Sequence, residues 1–154
     1  MDEHSTQFPL LNLPEVELRL RNPGESTQIY DAFRKRWLVL TPEEWVRQHF
    51  LHFLINELHY PKNRIAIEFS ILLNGMRKRA DVLVFGAKMQ PWMLIECKHA
   101  GISLSQAVFD QAARYNLKLQ VPFLVITNGM DLMAAEITQN RIDFLKELPP
   151  LDCD

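Results

Sequence analysis

Two acidic residues and a lysine lie where two predicted β-strands meet. Asp81 comes directly before an apolar run, and Glu96 comes directly after another. If the turn between the strands is symmetric about Lys88–Met89, Asp81 pairs directly with Glu96. Directly opposed residues point to the same face, with Cβ atoms roughly 5 Å apart. Lys98 is two residues beyond Glu96 and emerges from that same face. The spacing therefore predicts two carboxylates and one ammonium group at one spot.

A divalent cation would stabilise this cluster and make it reactive. Two carboxylates this close repel each other, and burial adds to the cost unless a cation compensates. We expect Mg²⁺ or Mn²⁺ bound by Asp81 and Glu96, with the backbone carbonyl of Cys97 as a further hard oxygen ligand. On a phosphodiester the metal would polarise the phosphoryl oxygen, while Lys98 orients water or offsets transition-state charge. The alternative is a cross-strand salt-bridge cluster on a solvated face.

The elements that must position these residues begin with a helix. Thr41 is predicted as its N-cap, Pro42 as its first residue and Glu44 as the residue that completes a capping box. We expect the helix to run to about Leu58, because Pro61 pushes the residue before it out of the α region. One broad apolar face of this helix must be buried.

An antiparallel meander of three strands is expected next. Alternating apolar residues begin at Ile65, and Asn74–Gly75 supplies a type I′ turn, since both residues tolerate positive φ. The return strand covers roughly Met76–Phe85. After a second turn, the third strand covers Trp92–Lys98 and carries Glu96.

A second helix and further elements complete the predicted core. Ser103–Gln106 has a capping-box pattern and opens a helix to about Leu119, with Gln111 and Tyr115 on its apolar stripe. The elements expected after it are Val121–Ile126, Leu132–Ile137 and Arg141–Leu148. The first is nearly all apolar, as in a strand covered on both faces and parallel to its neighbour. The second is a further strand, and the last is a short helix.

The order α-β-β-β-α-β predicts a three-layer α/β core with a mixed sheet and a small N-terminal β extension. We place the extension at residues 1–40, the core at 41–148 and a tail at 149–154. The extension should contain a β-hairpin, because the alternating segment Val16–Leu20 is followed by a turn at Asn22–Gly24.

Composition narrows the classes of function. The 154 residues include 17 Lys+Arg and 19 Asp+Glu, a formal net charge of −2, so the global positive field of many nucleic-acid-binding proteins is absent. Phosphate binding must then be local or assisted by metal, and Arg77–Arg79 is the densest basic run. The chain has two cysteines, an acidic N-terminus and no apolar run near the ~20 residues that span a bilayer. We expect a cytoplasmic protein with no disulfide framework and no membrane role.

These motifs resemble the restriction-endonuclease-like nuclease superfamily, PD-(D/E)xK, whose signature is an acid followed by acid-x-lysine. In this chain the signature is Asp81 followed by Glu96-Cys97-Lys98. The chain is more closely similar to proteins that resemble the N-terminal nuclease domain of type I restriction enzyme R subunits. The stretches that carry this similarity are Leu40–Gln48, Lys78–Asp81, Ile95–Lys98 and Asp110–Asn116, and the resemblance as a whole extends from about residue 10 to 148.

The resemblance implies a set of site residues. Position by position, the helix-borne metal acid falls on Glu44, the two further metal acids on Asp81 and Glu96, the lysine on Lys98, and a glutamine-x-x-x-tyrosine motif on Gln111 and Tyr115. Capping of Thr41 would by itself explain Glu44, and Glu43 could serve equally as the acid. Gln111 could instead bond to backbone, and Tyr115 could belong to the core.

The resemblance also implies a substrate and partners. A magnesium-dependent DNA endonuclease is expected, and a homodimer and a larger restriction or DNA-processing complex are the partners considered. The chain has no G-x-x-x-x-G-K-[ST] motif, so the translocase of R subunits is not expected within it. The competing class is a nuclease-fold module that binds DNA or a protein without cleaving.

Overall fold

The computed structural model describes residues 8–139 and 141–151. The helices and strands, numbered in chain order, are β1 (Leu20–Arg21), β2 (Gln28–Asp31), β3 (Arg36–Val39), α1 (Pro42–Asn56), β4 (Ile65–Leu73), β5 (Met76–Phe85), β6 (Pro91–Cys97), α2 (Gln106–Leu119), β7 (Phe123–Thr127), β8 (Leu132–Thr138) and β9 (Arg141–Phe144). Short 3₁₀ turns at Lys62–Arg64 and Ala87–Met89 lie before β4 and β6. Cys153 and the outer ends of the predicted extension and tail lie outside the described residues.

Six strands form one mixed sheet in the order β4-β5-β6-β7-β8-β9. β6 and β7 are parallel, joined by the crossover through α2, and the other neighbours are antiparallel. Leu94 and Leu124 pack in the core under α2, whereas Ile95 and Val125 pack in the core under α1. Because successive strand residues face opposite sides, the two helices cover opposite faces of the sheet. The predicted three-layer α/β class is confirmed, and its match to a nuclease core is approximate because β8 and β9 extend the sheet.

A second sheet of three antiparallel strands, in the order β1-β2-β3, precedes the core. The turn predicted at Asn22–Gly24 joins β1 to β2, but only the last residue of the predicted segment Val16–Leu20 lies in a strand. Leu20 pairs with Ile29, which is fully buried. Pairing between β1 and β2 therefore begins opposite the buried residue Ile29 of β2.

The N-terminus of α1 confirms one part of the predicted capping box and contradicts the other. Thr41 Oγ1 accepts a hydrogen bond from the Glu44 N–H at 3.1 Å, and Pro42 is the first helical residue. The predicted return bond from Glu44 to the N-cap is wrong, because its carboxylate accepts from Arg34 and Arg47 instead. Hydrogen bonds between charged groups are stronger than neutral ones, which explains the exchange.

α2 begins two residues later than the capping pattern predicted. Ser105, not Ser103, is the N-cap, and its side chain accepts from the Val108 N–H at 3.2 Å. The predicted place of Gln111 and Tyr115 on the buried stripe is also wrong, since both side chains are exposed. The residues that α2 buries are Phe109, Ala112, Ala113, Asn116 and Leu119. The bulky Phe109 ring takes the core position and turns Gln111 and Tyr115 toward the surface.

β9 stands where the sequence predicted a short helix at Arg141–Leu148. Its residues pair with β8, with Phe144 opposite Ala135 and Ile142 opposite Ile137. The edge of β8 presents unpaired backbone groups that another strand can satisfy. Pairing across the sheet thus outweighs local helix propensity, which is a weak preference.

Replacing Leu94 with alanine should weaken the whole domain, because this fully buried side chain lies in the third strand of a six-stranded sheet. We expect the free energy of unfolding to fall by about 2–5 kcal/mol. Urea denaturation followed by circular dichroism measures it. Leu72→Ala is the matched control: Leu72 is 61% exposed, so its loss should stay within about 0.5 kcal/mol. Equal losses in the two variants would contradict the placement of the core.

Candidate active site

Asp81 lies at a break in the alternation of β5. Val82 pairs with Ile95, the register that the sequence predicted, although a 3₁₀ turn and a shift at Phe85 replace the symmetric turn. Ala80 packs under α2, whereas Val82 packs under α1. Alternate residues of a regular strand share a face, so the strand must twist sharply between them. The predicted regular pair required Asp81 to lie directly opposite Glu96 on one face of the sheet. The face change in β5 prevents this arrangement.

The strand next to β5 is distorted at the same level. Glu68 of β4 has a φ of +50°, in the left-handed region that non-glycine residues rarely adopt. The pairing between β4 and β5 passes over Glu68 and Asp81 while keeping its register on both sides. Such irregularities re-aim side chains and cluster at functional sites. Here the irregularity turns two acidic side chains toward α1.

The Asp81 carboxylate is held from two sides. Its Oδ2 accepts a hydrogen bond from the backbone N–H of Cys97 at 2.8 Å, and its Oδ1 lies 3.6 Å from Arg47 Nη1. Burial raises the pKa of this carboxyl above its ordinary value, and the negative charge of Glu96 acts in the same direction. The Cys97 N–H, Arg47 and Lys98 lower that pKa in part. The charges of Glu96 and Lys98 therefore act on Asp81, although Asp81 and Glu96 do not form the directly opposed pair that the sequence predicted.

Four of the predicted site residues line one small recess at the carboxyl end of β6. Its volume is about 140 Å³. The lining residues are Lys78, Glu96, Lys98, Val108, Gln111, Ala112 and Tyr115. Gln111 and Tyr115 are one helical turn apart on α2, so both reach the same opening. Their exposure, which contradicts the predicted apolar stripe, is what makes them available to a ligand.

Lys78 is a residue of this recess that the sequence reasoning did not assign. Its Nζ lies 2.8 Å from Glu96 Oε1 and 5.1 Å from the centre of the Tyr115 ring. In a regular strand Lys78 and Asp81 would lie on opposite faces. The basic run Arg77–Arg79 was considered only for local phosphate binding. No sequence pattern marks Lys78, because the face change in β5 between Ala80 and Val82 is seen only in the structure.

Glu44 is buried at 4% exposure, is not among the residues that line the recess, and forms ion pairs with two arginines. Its Oε1 lies 2.7 Å from Arg34 Nη2, and its Oε2 lies 2.9 Å from Arg47 Nε. Of the two candidate helix acids, Glu44 faces this cluster, whereas Glu43 is exposed and lies outside it. Within the described residues no group of three or more His, Cys, Asp or Glu side chains is arranged to hold a metal ion. The structure thus does not bring Glu44, Asp81 and Glu96 together as three ligands.

Arg34 and Arg47 are the other residues that the sequence reasoning missed. Arg47 follows Glu44 by three positions, and this helical spacing is a recognisable ion-pair signal. Arg34 comes from the turn between β2 and β3, and no local pattern links it to α1. Only the packing of the three-stranded sheet against the core brings it to Glu44.

The side chain of Cys97 lies in the core under α1. Burial raises the pKa of its thiol, so the thiolate is disfavoured at neutral pH. Cys97 contributes to the site through its backbone, whose N–H binds Asp81. The predicted metal contact of its carbonyl remains a prediction.

A family model described as the type I restriction enzyme R protein N terminus matches residues 42–149. The chain belongs to this family. The match begins at the first residue of α1 and covers every predicted site residue. It confirms the resemblance to the N-terminal domain of type I restriction enzyme R subunits. The R-protein domain of this chain is preceded by the three-stranded sheet that carries Arg34. A search of curated proteins found no significant match.

In the described part of this R-protein domain and its extension, no helix is long and apolar enough to cross a membrane. Membership of the restriction family provides the functional context for the recess at the end of β6.

Replacing Asp81 with asparagine should stabilise the domain at neutral pH. A carboxyl whose pKa is raised on folding stabilises the native state only while protonated, and that contribution is lost as the pH rises through the folded-state pKa. The neutral amide avoids this loss. We expect a higher Tm than wild type at pH 7 and no difference below the ordinary carboxyl pKa of 3.8.

The matched control for that measurement is Asp143→Asn, which alters an exposed ion pair with Arg141. Exposed pairs contribute little, so its Tm should follow that of wild type across the same pH range. A lower Tm for Asp81→Asn than for wild type at pH 7 would show that the ionised carboxylate is net stabilising and would refute the pKa direction.

Proposed function

We propose that this R-protein domain hydrolyses DNA phosphodiester bonds with Mg²⁺ or Mn²⁺. The observation that carries the proposal is the recess at the end of β6, where Glu96 and Lys98 meet Gln111 and Tyr115, with Asp81 beside it. A carboxylate, a lysine and polar groups in one opening, with a second carboxylate beside it, form a set suited to phosphoryl transfer chemistry. Membership of the restriction family makes DNA the substrate we favour over RNA.

The residues present fit a magnesium or manganese ion. Asp81 and Glu96 offer hard oxygen donors. Burial raises the pKa of Asp81, and the charge of Glu96 adds to the effect, so a bound cation would favour the ionised carboxylate. Mg²⁺ typically takes one or two carboxylates and keeps several waters, so a third acidic ligand is not required. The carbonyl of Cys97 is proposed as a further ligand. Bound there, a divalent cation would supply Lewis-acid activation of the phosphodiester.

The chain's own residues would position the substrate and stabilise charge. In hydrolysis a water oxygen bonds to phosphorus, the bond to the leaving sugar oxygen breaks, and that oxygen gains a proton. Lys98 stabilises the negative charge that develops on the phosphate oxygens. Gln111 and Tyr115 orient the phosphate or the water by hydrogen bonding. Lys78, which now contacts Glu96, is positioned to follow the phosphate when Glu96 binds metal.

Exposed basic residues would hold the DNA backbone around this recess. Arg77 and Arg79 lie on β5 just before Asp81, while Arg114 and Lys118 lie on the outer side of α2. A net charge of −2 does not oppose this, because phosphate contacts act locally and a bound cation adds two positive charges at the reacting centre. A homodimer or a larger restriction complex remains the proposed assembly, and a cytoplasmic location accompanies it.

Replacing Lys98 with alanine should lower plasmid cleavage by roughly 10²–10³-fold, because it removes the charge opposite the phosphate oxygens. Asp81→Asn should abolish metal-dependent cleavage at least as completely. Conversion of supercoiled to nicked and linear plasmid, with Mg²⁺ or Mn²⁺ and with chelator, measures both. Lys88→Ala, in the turn before β6, is the matched control and should cleave like wild type. Wild-type protein that never cleaves with either cation would refute the catalytic proposal, and normal cleavage by Lys98→Ala would refute the lysine's role.

A second candidate function is DNA binding without cleavage. The observation that favours it is that each acid has a cationic partner of its own: Glu96 has Lys78, Asp81 has Arg47 and Glu44 has Arg34. A site whose charges are already paired gains less from a metal. In that case the same surface would hold DNA while the acids remain in their ion pairs.

Both functions require the basic residues of β5, and salt dependence tests them. The double variant Arg77→Ala/Arg79→Ala should bind duplex DNA more weakly and flatten the plot of log affinity against log salt by about 0.9 for each phosphate that the protein no longer neutralises. Fluorescence anisotropy over a salt series gives the slope. Lys88→Ala should keep the wild-type slope. An unchanged slope in the double variant would mean that DNA does not contact this strand.

A further inference from the structure

A chain of alternating charges connects the N-terminal sheet with Asp81. Arg34 contacts Asp31 and lies 2.7 Å from Glu44, Glu44 lies 2.9 Å from Arg47, and Arg47 lies 3.6 Å from Asp81. Glu68 joins it from β4, 3.0 Å from Arg34 and 3.4 Å from Arg47. The chain crosses from residues outside the matched restriction family into the candidate site.

Arg34 is fixed firmly enough to act as an anchor. All three of its guanidinium nitrogens contact carboxylates: Asp31, Glu44 and Glu68. Asp31 is fully buried and accepts hydrogen bonds from the backbone N–H groups of Phe33 and Arg34, at 2.7 and 2.9 Å. The turn between β2 and β3 therefore presents to α1 a mostly buried guanidinium that is held by three carboxylates.

Glu44 has little capacity left for a metal. Its Oε1 accepts from Arg34 and from Arg47 Nη2 at 3.1 Å, and its Oε2 accepts from Arg47 Nε and from Gln48 at 3.3 Å. Binding a cation through this carboxylate would release two guanidinium groups that are mostly buried. Removing one partner of a buried ion pair is strongly unfavourable.

Resting on the proposed metal-dependent function, we propose that the site takes a single divalent cation and that Glu44 is a positioning residue, not a ligand. Glu44 holds Arg47 against Asp81, and Arg34 of the N-terminal sheet anchors Glu44. The cation is bound by Asp81 and Glu96. The N-terminal sheet thereby helps to build the site, although it lies outside the region shared with the family.

Manganese spectroscopy tests whether Glu44 is a ligand. Protein labelled with ¹³C at the glutamate carboxyl is loaded with Mn²⁺, bound ions are counted by calorimetry, and electron–nuclear double resonance detects ¹³C next to the metal. We expect one bound Mn²⁺ and one glutamate coupling in wild type and in Glu44→Gln. The coupling should disappear in Glu96→Gln, together with at least a ~10-fold loss of Mn²⁺ affinity.

The outcomes separate this inference from the function on which it rests. Two bound Mn²⁺ ions, or a glutamate coupling that disappears in Glu44→Gln, would overturn the single-cation inference and leave the metal-dependent function standing. No Mn²⁺ binding by wild type would overturn the proposed metal-dependent function and the single-cation inference together.

Thermal unfolding tests the anchor without any metal. Arg34→Met should lower Tm more than Arg36→Met, since Arg36 is exposed and Arg34 is held by three carboxylates. Adding Glu44→Gln to Arg34→Met should restore part of that loss, because it removes one of the three carboxylates that lose the Arg34 charge. Additive losses in the double variant would overturn the anchoring role. If Arg34→Met does not fold, Arg34→Lys replaces it in the same cycle.

Discussion

The structure depends on arginines that compensate the charge of the acidic groups at the edge of its core. Asp31 is fully buried, Glu44 is nearly so, and Asp81 lies in surroundings that raise its pKa. None of these carboxylates is tolerated there unless a cation stands close by. Arg34 and Arg47 supply the cations between Asp31 and Asp81. Because one arginine comes from the N-terminal sheet and the other from α1, the need for charge pairing also holds these two parts together.

The irregularity in β5 is the structural cost of placing Asp81 at this position. A regular strand would have paired Asp81 with Glu96 and aimed both at α2, where an apolar helix face covers the sheet. The twist between Ala80 and Val82 lets Asp81 reach the backbone of Cys97 and the guanidinium of Arg47 instead. Glu96 remains on the side of α2, so the two acids approach the end of β6 from opposite sides.

The sequence was most informative where local chemistry decides the structure. Thr41 and Pro42 begin a helix because of their own bonding capacity, and the apolar run in β7 requires a strand covered on both faces. Predictions from the sequence were wrong where tertiary contacts compete with local preferences. β9 forms because the edge of β8 needs a partner, and Glu44 leaves its capping role because two arginines reach it. The family pattern singled out Glu96, Lys98, Gln111 and Tyr115, which line one recess. It did not single out Arg34, since no local spacing links Arg34 to the residues it contacts.

The chain is nearly neutral overall, yet its surface near the site is basic. Both can be true because several of its acidic groups are buried while the basic groups are exposed. The buried carboxylates of Asp31 and Glu44 are offset within the protein and contribute little field to the solvent. The exposed cations of β5 and α2 are not offset to the same degree, since Arg79 is 69% exposed and its contact with Glu68 is 3.4 Å long. An incoming polyanion meets mainly these surface groups, because the Debye length at physiological salt is only about 8 Å. Local basic character at the recess can therefore coexist with a net charge of −2.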